Sequence, residues 1–420
     1  MRHPSESTEP VESGLARFLF LRNRLPLGLS GGGALARCPR LLSSNRSSGY
    51  QLASLAFLYA YRRCSMEITA VELEISPKTD ILFFSKVLCG LEGLRNGRVR
   101  IGNTASEIVA RLCVHLRGRE NPLVIALDLH DMSDRFEPYF LEHCDLYAKR
   151  SYSPEFVEPK WRNKVIPFGL NYSVRSSFVI GAALRTAMGR LATDALGFAL
   201  SLRQLARTAA PQEFEWAAQM PVENKVLFQT RVWPQEQVGP DNAERLNSFR
   251  VALIRALRRE FGSRFTGGLY PSAFAKEHFP DLVTSFPSRP ADFIRWSRKS
   301  LISIYTPGLN RSVAFKLGEY LAASKCIVMT PIESQLPAPL REGRHFLGFQ
   351  TVDECILACD RLLTDPSLAS DLRNEAWSYY RAHVEPVAHL RELVHAGLSR
   401  AHVLPGTSCG AQAPEGWSSL

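Results

Sequence analysis

LISIYTPGLNRSVAFKLGEYLAASKCIVM, residues Leu301 to Met329, divides into four pieces. They are an apolar strand (Leu301 to Tyr305), a Pro307-Gly308 turn, a helix, and a second apolar strand (Cys326 to Met329). Asn310 or Ser312 can cap the helix start, and the short polar Ser324-Lys325 link follows its end. A strand–helix–strand unit of this length is a crossover, which sets its two strands parallel in one sheet.

The helix carries two stripes. Val313, Leu317, Tyr320 and Leu321 form one, and Ser312, Lys316, Glu319 and Ala323 the other. A helix start after a glycine turn offers free N–H groups and the positive end of the dipole, which suits a phosphate. Glu319 lies seven residues beyond Ser312, roughly 10 Å along the axis at about 1.5 Å per residue. That is about the reach from a nucleotide's phosphates to its ribose, whose hydroxyls a carboxylate accepts. The plainer alternative is a solvated face with a weak Lys316–Glu319 surface pair.

Three segments carry a resemblance. GLNRSVAFKLGEYLAASKCIVMTPI (Gly308 to Ile332) resembles the donor-site segment of group 1 glycosyltransferases of the GT-B type, with the "EYLAxxKxIV" run. NKVLFQTRVWP (Asn224 to Pro234) looks like the first strand and loop of the same domain. DLYAKRSYSPE (from Asp145) and NKVIPFGLNY (to Tyr172) are similar to the close of the N-terminal domain in bacterial members. The resemblance spans roughly Ile81 to Leu393 and implies an α/β fold of two Rossmann-like domains facing across a cleft. It also implies a nucleotide diphosphate sugar as donor, with no separate cofactor, and a saccharide or lipid-linked acceptor, as in cell-surface polysaccharide synthesis. The family often carries two glutamates eight residues apart. Here Arg311 stands eight before Glu319, which leaves the stereochemical outcome open.

The resemblance assigns Arg231 to the donor diphosphate, together with Gly308, Asn310, Ser312, Lys316 and Glu319. An arginine just past a strand's carboxyl end can clamp a diphosphate through its fork of donors. In the first half, PLVIALDLHD (Pro122 to Asp131) is the clearest strand, and ligands sit beyond the carboxyl ends of strands in an open parallel sheet. Asp128, His130 and Asp131 then lie at the mouth of a cleft, with His130 or Asp128 as the candidate base on an acceptor hydroxyl. Gly90 and Gly93, which punctuate the run after Asp80, and the basic pair Lys149 and Arg150 are the other acceptor-side candidates. Lys149 and Arg150 are alternatively placed to face the donor phosphates. No paired-aspartate run stands in the donor segments, and Cys355 and Cys359 lack a second pair for zinc, so no metal is assigned.

The chain of 420 residues has room for two domains. The expected divisions are 1–65, an Arg-rich disordered extension or mis-assigned start; 66–172, the acceptor-side domain beginning in earnest at Asp80; and 173–220, a helical crossover. Next come 221–385, the nucleotide-sugar domain; 386–402, a helix returning to the first domain; and 403–420, a disordered tail. From Ser13 to Ser65 there are eight arginines, no lysine and no acid, resembling a targeting presequence. The Gly31-Gly32-Gly33 run there lacks the Lys-Ser/Thr of a phosphate loop, and Leu52 to Tyr61 is too short to span a membrane. Nine basic and three acidic residues before Met66 account for +6 of the +10 net charge, leaving +4 on the remaining 355 residues. That distribution speaks against nucleic acid as partner. It is compatible with peripheral contact with an anionic membrane, as is the charge-interrupted apolar stretch Phe178 to Leu202. Nine scattered cysteines point to a reducing, cytoplasmic compartment, at the inner membrane face if the peripheral contact holds. A sugar-nucleotide epimerase or hydrolase of the same fold, and a non-catalytic carbohydrate-binding scaffold, are the alternatives to transfer.

Overall fold

A computed structural model of the protein describes residues 68–102, 106–190, 208–284 and 290–401, with 199, 203, 205 and 206 between them. All lie in one compact unit spanning residues 51–420. The Arg-rich stretch before Met66 and the tail from Val403 fall outside the described residues. The architecture is α/β with two Rossmann-like sheets.

The first sheet opens on Ile68–Ile75 (β1), ahead of the start expected at Asp80. Asp80 instead caps a helix, accepting from the Leu82 N–H ahead of Ile81–Glu92 (α1). The sheet continues with Gly97–Ile101 (β2), Val109–Leu116 (β3), Leu123–Asp128 (β4), Leu146–Lys149 (β5) and Val165–Pro167 (β6), in the order β2-β1-β3-β4-β5-β6. The expected parallel sheet is in fact mixed: β3 runs antiparallel to both β1 and β4. The loop joining β3 to β4 is too short for a crossover helix and turns through Gly118 at φ 78°, so the pair closes as a hairpin. The parallel pairs β1–β2 and β4–β5 are each bridged by a helix, α1 and Pro138–His143 (α2).

One face of this sheet is covered by α1, by Ser177–Arg190 (α3) and by the C-terminal helix Pro386–Arg400 (α9). Phe84, Leu88, Leu91, Ile125 and Leu390 are wholly buried there, each worth roughly 1.5–3 kcal/mol of transfer free energy. Gly90 and Gly93 belong to this packing. A Cβ on Gly90 would meet the Pro386 carbonyl oxygen at 2.5 Å, and one on Gly93 would meet Val387 Cγ2 at 2.4 Å. Neither glycine shapes an acceptor loop; they let α1 and α9 approach closely, which corrects their expected role. On α3, Val179, Ala182 and Ala187 face inward, while Ile180, Leu184 and Met188 remain exposed. Among the described residues, no helix is long and apolar enough to cross a membrane.

The second sheet comprises Glu223–Thr230 (β7), Phe265–Leu269 (β8), Ser300–Tyr305 (β9), Cys326–Met329 (β10) and Phe346–Gly348 (β11). All neighbours pair in parallel, in the order β11-β10-β9-β7-β8. Pro240–Phe261 (α4), Pro290–Lys299 (α5) and Lys316–Ala322 (α6) make the crossovers, with Val352–Thr364 (α7) and Pro366–Tyr379 (α8) after the last strand. The Ser324-Lys325 link is buried rather than polar surface. Lys325 is wholly enclosed and donates to the carbonyls of Arg298 (2.9 Å) and Ser300 (2.6 Å), and burial holds its pKa well below the usual lysine value.

Replacing Gly90 by alanine should force α1 and α9 apart and cost about 1–3 kcal/mol, the range for overpacking. Thermal melting should record the loss, and an unchanged midpoint would show that the helix pair has slack.

Candidate functional site

The strand order of the second sheet reverses between β7 and β9. In an open α/β sheet, the crevice beyond the carboxyl ends of two such strands is where ligands bind. The loop leaving β7 carries Arg231, and the loop leaving β9 runs from Thr306 to Ser312. Arg250 of α4 ties these loops together from below. Its guanidinium donates to the carbonyls of Arg231 (2.8 Å) and Pro307 (2.7 Å) and to Thr306 Oγ1 (3.4 Å). It is 5% exposed, and burial, with Arg245 nearby, lowers its pKa to about 10. Arg250 is not among the residues that the sequence singles out for the site, although it lies on the buried side of α4 with Leu246, Leu253 and Leu257. The available signal was a single arginine on the apolar arc of a strongly two-faced helix, where a charge is rare without partners.

Arg231 is exposed at the crevice, its guanidinium 4.6 Å from the Tyr270 ring centroid and 5.9 Å from that of Trp233. Lys316 lies half-buried with its ammonium 3.5 Å from the Phe293 centroid. Burial lowers its pKa to about 8; Glu319 opposes that shift, and Arg231 and Arg250 add to it. The same burial raises the Glu319 carboxyl, against the pull of Lys316. Arg231, Arg250, Lys316 and Glu319 therefore share one electrostatic environment at the reversal.

The helix start differs from its expected place. Asn310 and Arg311 adopt left-handed backbone angles (φ 50° and 58°), which no helix can pass through, and α6 begins only at Lys316. Neither Asn310 nor Ser312 caps it. Ser312 is buried, and its carbonyl accepts from the Gly308 N–H (2.8 Å) to close a turn. A Cβ on Gly308 would lie 2.9 Å from the Ser312 hydroxyl. Glu319 thus sits within the first turn of a short helix and not two turns from its start. The N–H groups of Val313, Phe315 and Lys316 have no partner among the described residues, whereas that of Ala314 donates to the Tyr305 hydroxyl (2.9 Å). Arg311 pairs with Glu333 (2.7 Å).

On the first domain, the carboxyl ends of β4 and β5 hold a buried staple. Asp128 has no exposed surface; it pairs with Lys149 (2.9 Å) and accepts from the Tyr147 hydroxyl (2.5 Å) and the His130 N–H (2.9 Å). Lys149, equally buried, also donates to the Arg135 carbonyl (2.6 Å), and burial lowers its pKa. This arrangement gives Asp128 no path to an acceptor hydroxyl and Lys149 none to a phosphate, which corrects both expectations. Their task is to hold the loop after β4. His130 is 6% exposed, with Nε2 3.2 Å from Glu137.

Arg150 reaches across to the second domain. It is 5% exposed, pairs with Asp131, and donates to the Val313 carbonyl (2.8 Å) while its guanidinium lies 4.9 Å from the Phe315 centroid. Phe83 of α1 meets Phe315 edge-on at 5.9 Å. Arg150 therefore supports the loop ahead of Lys316. Among the described residues, no group of His, Cys, Asp and Glu is arranged to hold a metal ion.

Asp128→Asn should destabilise the protein by about 3–5 kcal/mol, the usual consequence of stranding a buried charge. The double variant Asp128→Leu/Lys149→Met should recover much of that loss. Chemical denaturation would check both, and an Asp128→Asn protein of undiminished stability would remove the staple reading.

No protein-family model matches the chain, and no curated protein does. Solved structures with a similar fold include the C-terminal domain of a group 1 glycosyl transferase (LpcC) from Francisella tularensis, at 14% identity over 40% of this chain and 94% of that one, with a TM-score of 0.27. An S. aureus MnaA–UDP complex is similar at 10% identity over 79% of this chain and 96% of that one, TM-score 0.37. A glycosyltransferase from Rickettsia africae is similar at 14% identity over 64% and 68%, TM-score 0.34.

Proposed function

We propose that the protein is a glycosyltransferase that takes its sugar from a nucleoside diphosphate sugar bound at the β7/β9 reversal and passes it to a saccharide or lipid-linked acceptor on the first domain. The observation that carries this reading is the electrostatic coupling of Lys316 with Arg231, Arg250 and Glu319 at the strand-order reversal. Arginine forks and oriented N–H groups suit a diphosphate. Glu319 suits the ribose hydroxyls.

In this reading the bond from the sugar's anomeric carbon to the diphosphate oxygen breaks as the acceptor oxygen bonds that carbon. Negative charge grows on the leaving diphosphate. Arg231, Lys316 and the N–H groups of Val313, Phe315 and Lys316 would stabilise that charge, as donors held ready for a developing charge lower a barrier. Arg250 acts by positioning, since it holds both loops. His130 remains the acceptor-side candidate for taking the hydroxyl proton, directly or through Glu137.

The charge on Lys316 supplies a pH test. Its pKa is lowered to about 8 in the free protein, so the ammonium is present below that value and lost above it. Affinity for UDP should fall as pH rises through 8, by up to about tenfold per pH unit. Lys316→Met should bind more weakly and lose that dependence. Glu319→Ala should reduce nucleotide affinity with an unchanged melting temperature of the free protein. Titration calorimetry would measure both. A thermal-shift screen of UDP-, GDP-, ADP- and dTDP-sugars would identify the donor, because a ligand of the native state raises its melting point. Product analysis with labelled donor, with and without acceptor, separates transfer from epimerisation or hydrolysis; nucleotide affinity indifferent to both substitutions would overturn the site.

A further inference from the structure

Beside the loop held by Asp128 and Lys149, the first domain has a pocket of about 280 Å³. Its wall includes Phe136, Phe156 and Trp161, with the carboxylates of Asp134, Glu142 and Glu158 around them. Phe156 is 47% exposed, and Asp134 and Glu142 are exposed as well. Glu158 pairs with Lys160 (2.9 Å). Asp134 acts on the Lys149 ammonium only through space, and Lys164 donates to the Glu142 carbonyl and not to its carboxylate. The wall is built rather than loose. Lys149 fixes the Arg135 carbonyl, Phe136 lies over the Lys149 ammonium (5.2 Å) and against Tyr147 (5.9 Å), and the Glu137 N–H donates to the Tyr147 hydroxyl (3.2 Å).

We propose that this pocket holds one sugar ring of a saccharide whose reacting end reaches the cleft; the acceptor role rests on the transferase reading above. The wall offers ring surface together with three carboxylates, set against the single Lys160 ammonium that Glu158 already holds. An anionic ligand would meet the carboxylates. A wholly apolar one would desolvate them without return. A pyranose supplies both halves, hydroxyl donors at its rim and C–H groups on its faces. The volume is near the lower end of small-molecule pockets, roughly 300 Å³, which matches a single ring and not a whole oligosaccharide. The pocket and the cleft share one loop: Asp131, paired with Arg150, precedes Asp134 and Phe136 by a few residues.

The test uses the full chain, titrated calorimetrically with chitotetraose, maltotetraose and cellotetraose. At least one should bind. Phe156→Ala and Glu142→Gln, both at exposed positions, should each weaken it about tenfold, the scale of about 1.4 kcal/mol for a lost contact. The thermal shift given by UDP should stay as in the unchanged protein. Binding of none of the three, binding indifferent to both substitutions, or displacement of the saccharide by tetramethylammonium would overturn the proposal. Saccharide binding sensitive to both substitutions, with no UDP shift in the unchanged protein, would keep the sugar pocket and remove the transferase reading.

Discussion

The guanidinium of Arg250 is the contact on which the site depends. Two loops leave the sheet on opposite sides of the strand-order reversal, past the last paired residues of β7 and β9, Leu227 and Ser303, so beyond that point something else must set their separation. Arg250 does so by donating to a carbonyl in each. A buried arginine with its donors satisfied is tolerable, whereas one deprived of a carbonyl would leave a desolvated charge. The clamp and the loops therefore define each other. Its presence also colours the electrostatics, since a fixed cation below Lys316 helps hold that ammonium's pKa down. Positive charge from Arg231, Arg250 and Lys316 therefore gathers at the crevice, with Glu319 as its counterweight.

Much of the second sheet was legible because β7, β9 and β10 contain short apolar runs, and such runs are buried on both faces. The runs are Val226 to Phe228, Leu301 to Tyr305 broken only by Ser303, and Cys326 to Met329. β7, β9 and β10 follow that rule. β1 and β3 do not: ITAVELEI mixes Glu72 and Glu74 with its apolar residues, and the alternation of a half-covered strand was overlooked. DILFFSKVL was apolar enough to draw attention away from the strand before it, although its Asp80 cap marks a helix. Tertiary cover, not local preference, decided these segments.

For the site, the legible part was residue type and loop position. Arg231, Lys316 and Glu319 were marked by following a strand end or sharing a stripe. Burial was not legible. Asp128 and Lys149 are twenty-one residues apart on neighbouring strands, and only the register that sets Asp128 opposite Lys149 turns two apparent cleft residues into an internal pair. Likewise the left-handed backbone at Asn310 and Arg311 postpones α6, a choice made by the Gly308–Ser312 turn that no periodicity reveals.

Arg150 has a wider consequence. Its donors are divided between a carboxylate of one domain and a carbonyl of the other, so neither half of the molecule has a free hand with its own loop. A ligand that moved the Val313 peptide would also strain or ease the grip on Asp131, and the reverse would hold with equal free energy. On the function proposed above, filling one half of the cleft would tune the other through a single side chain, without any hinge being invoked.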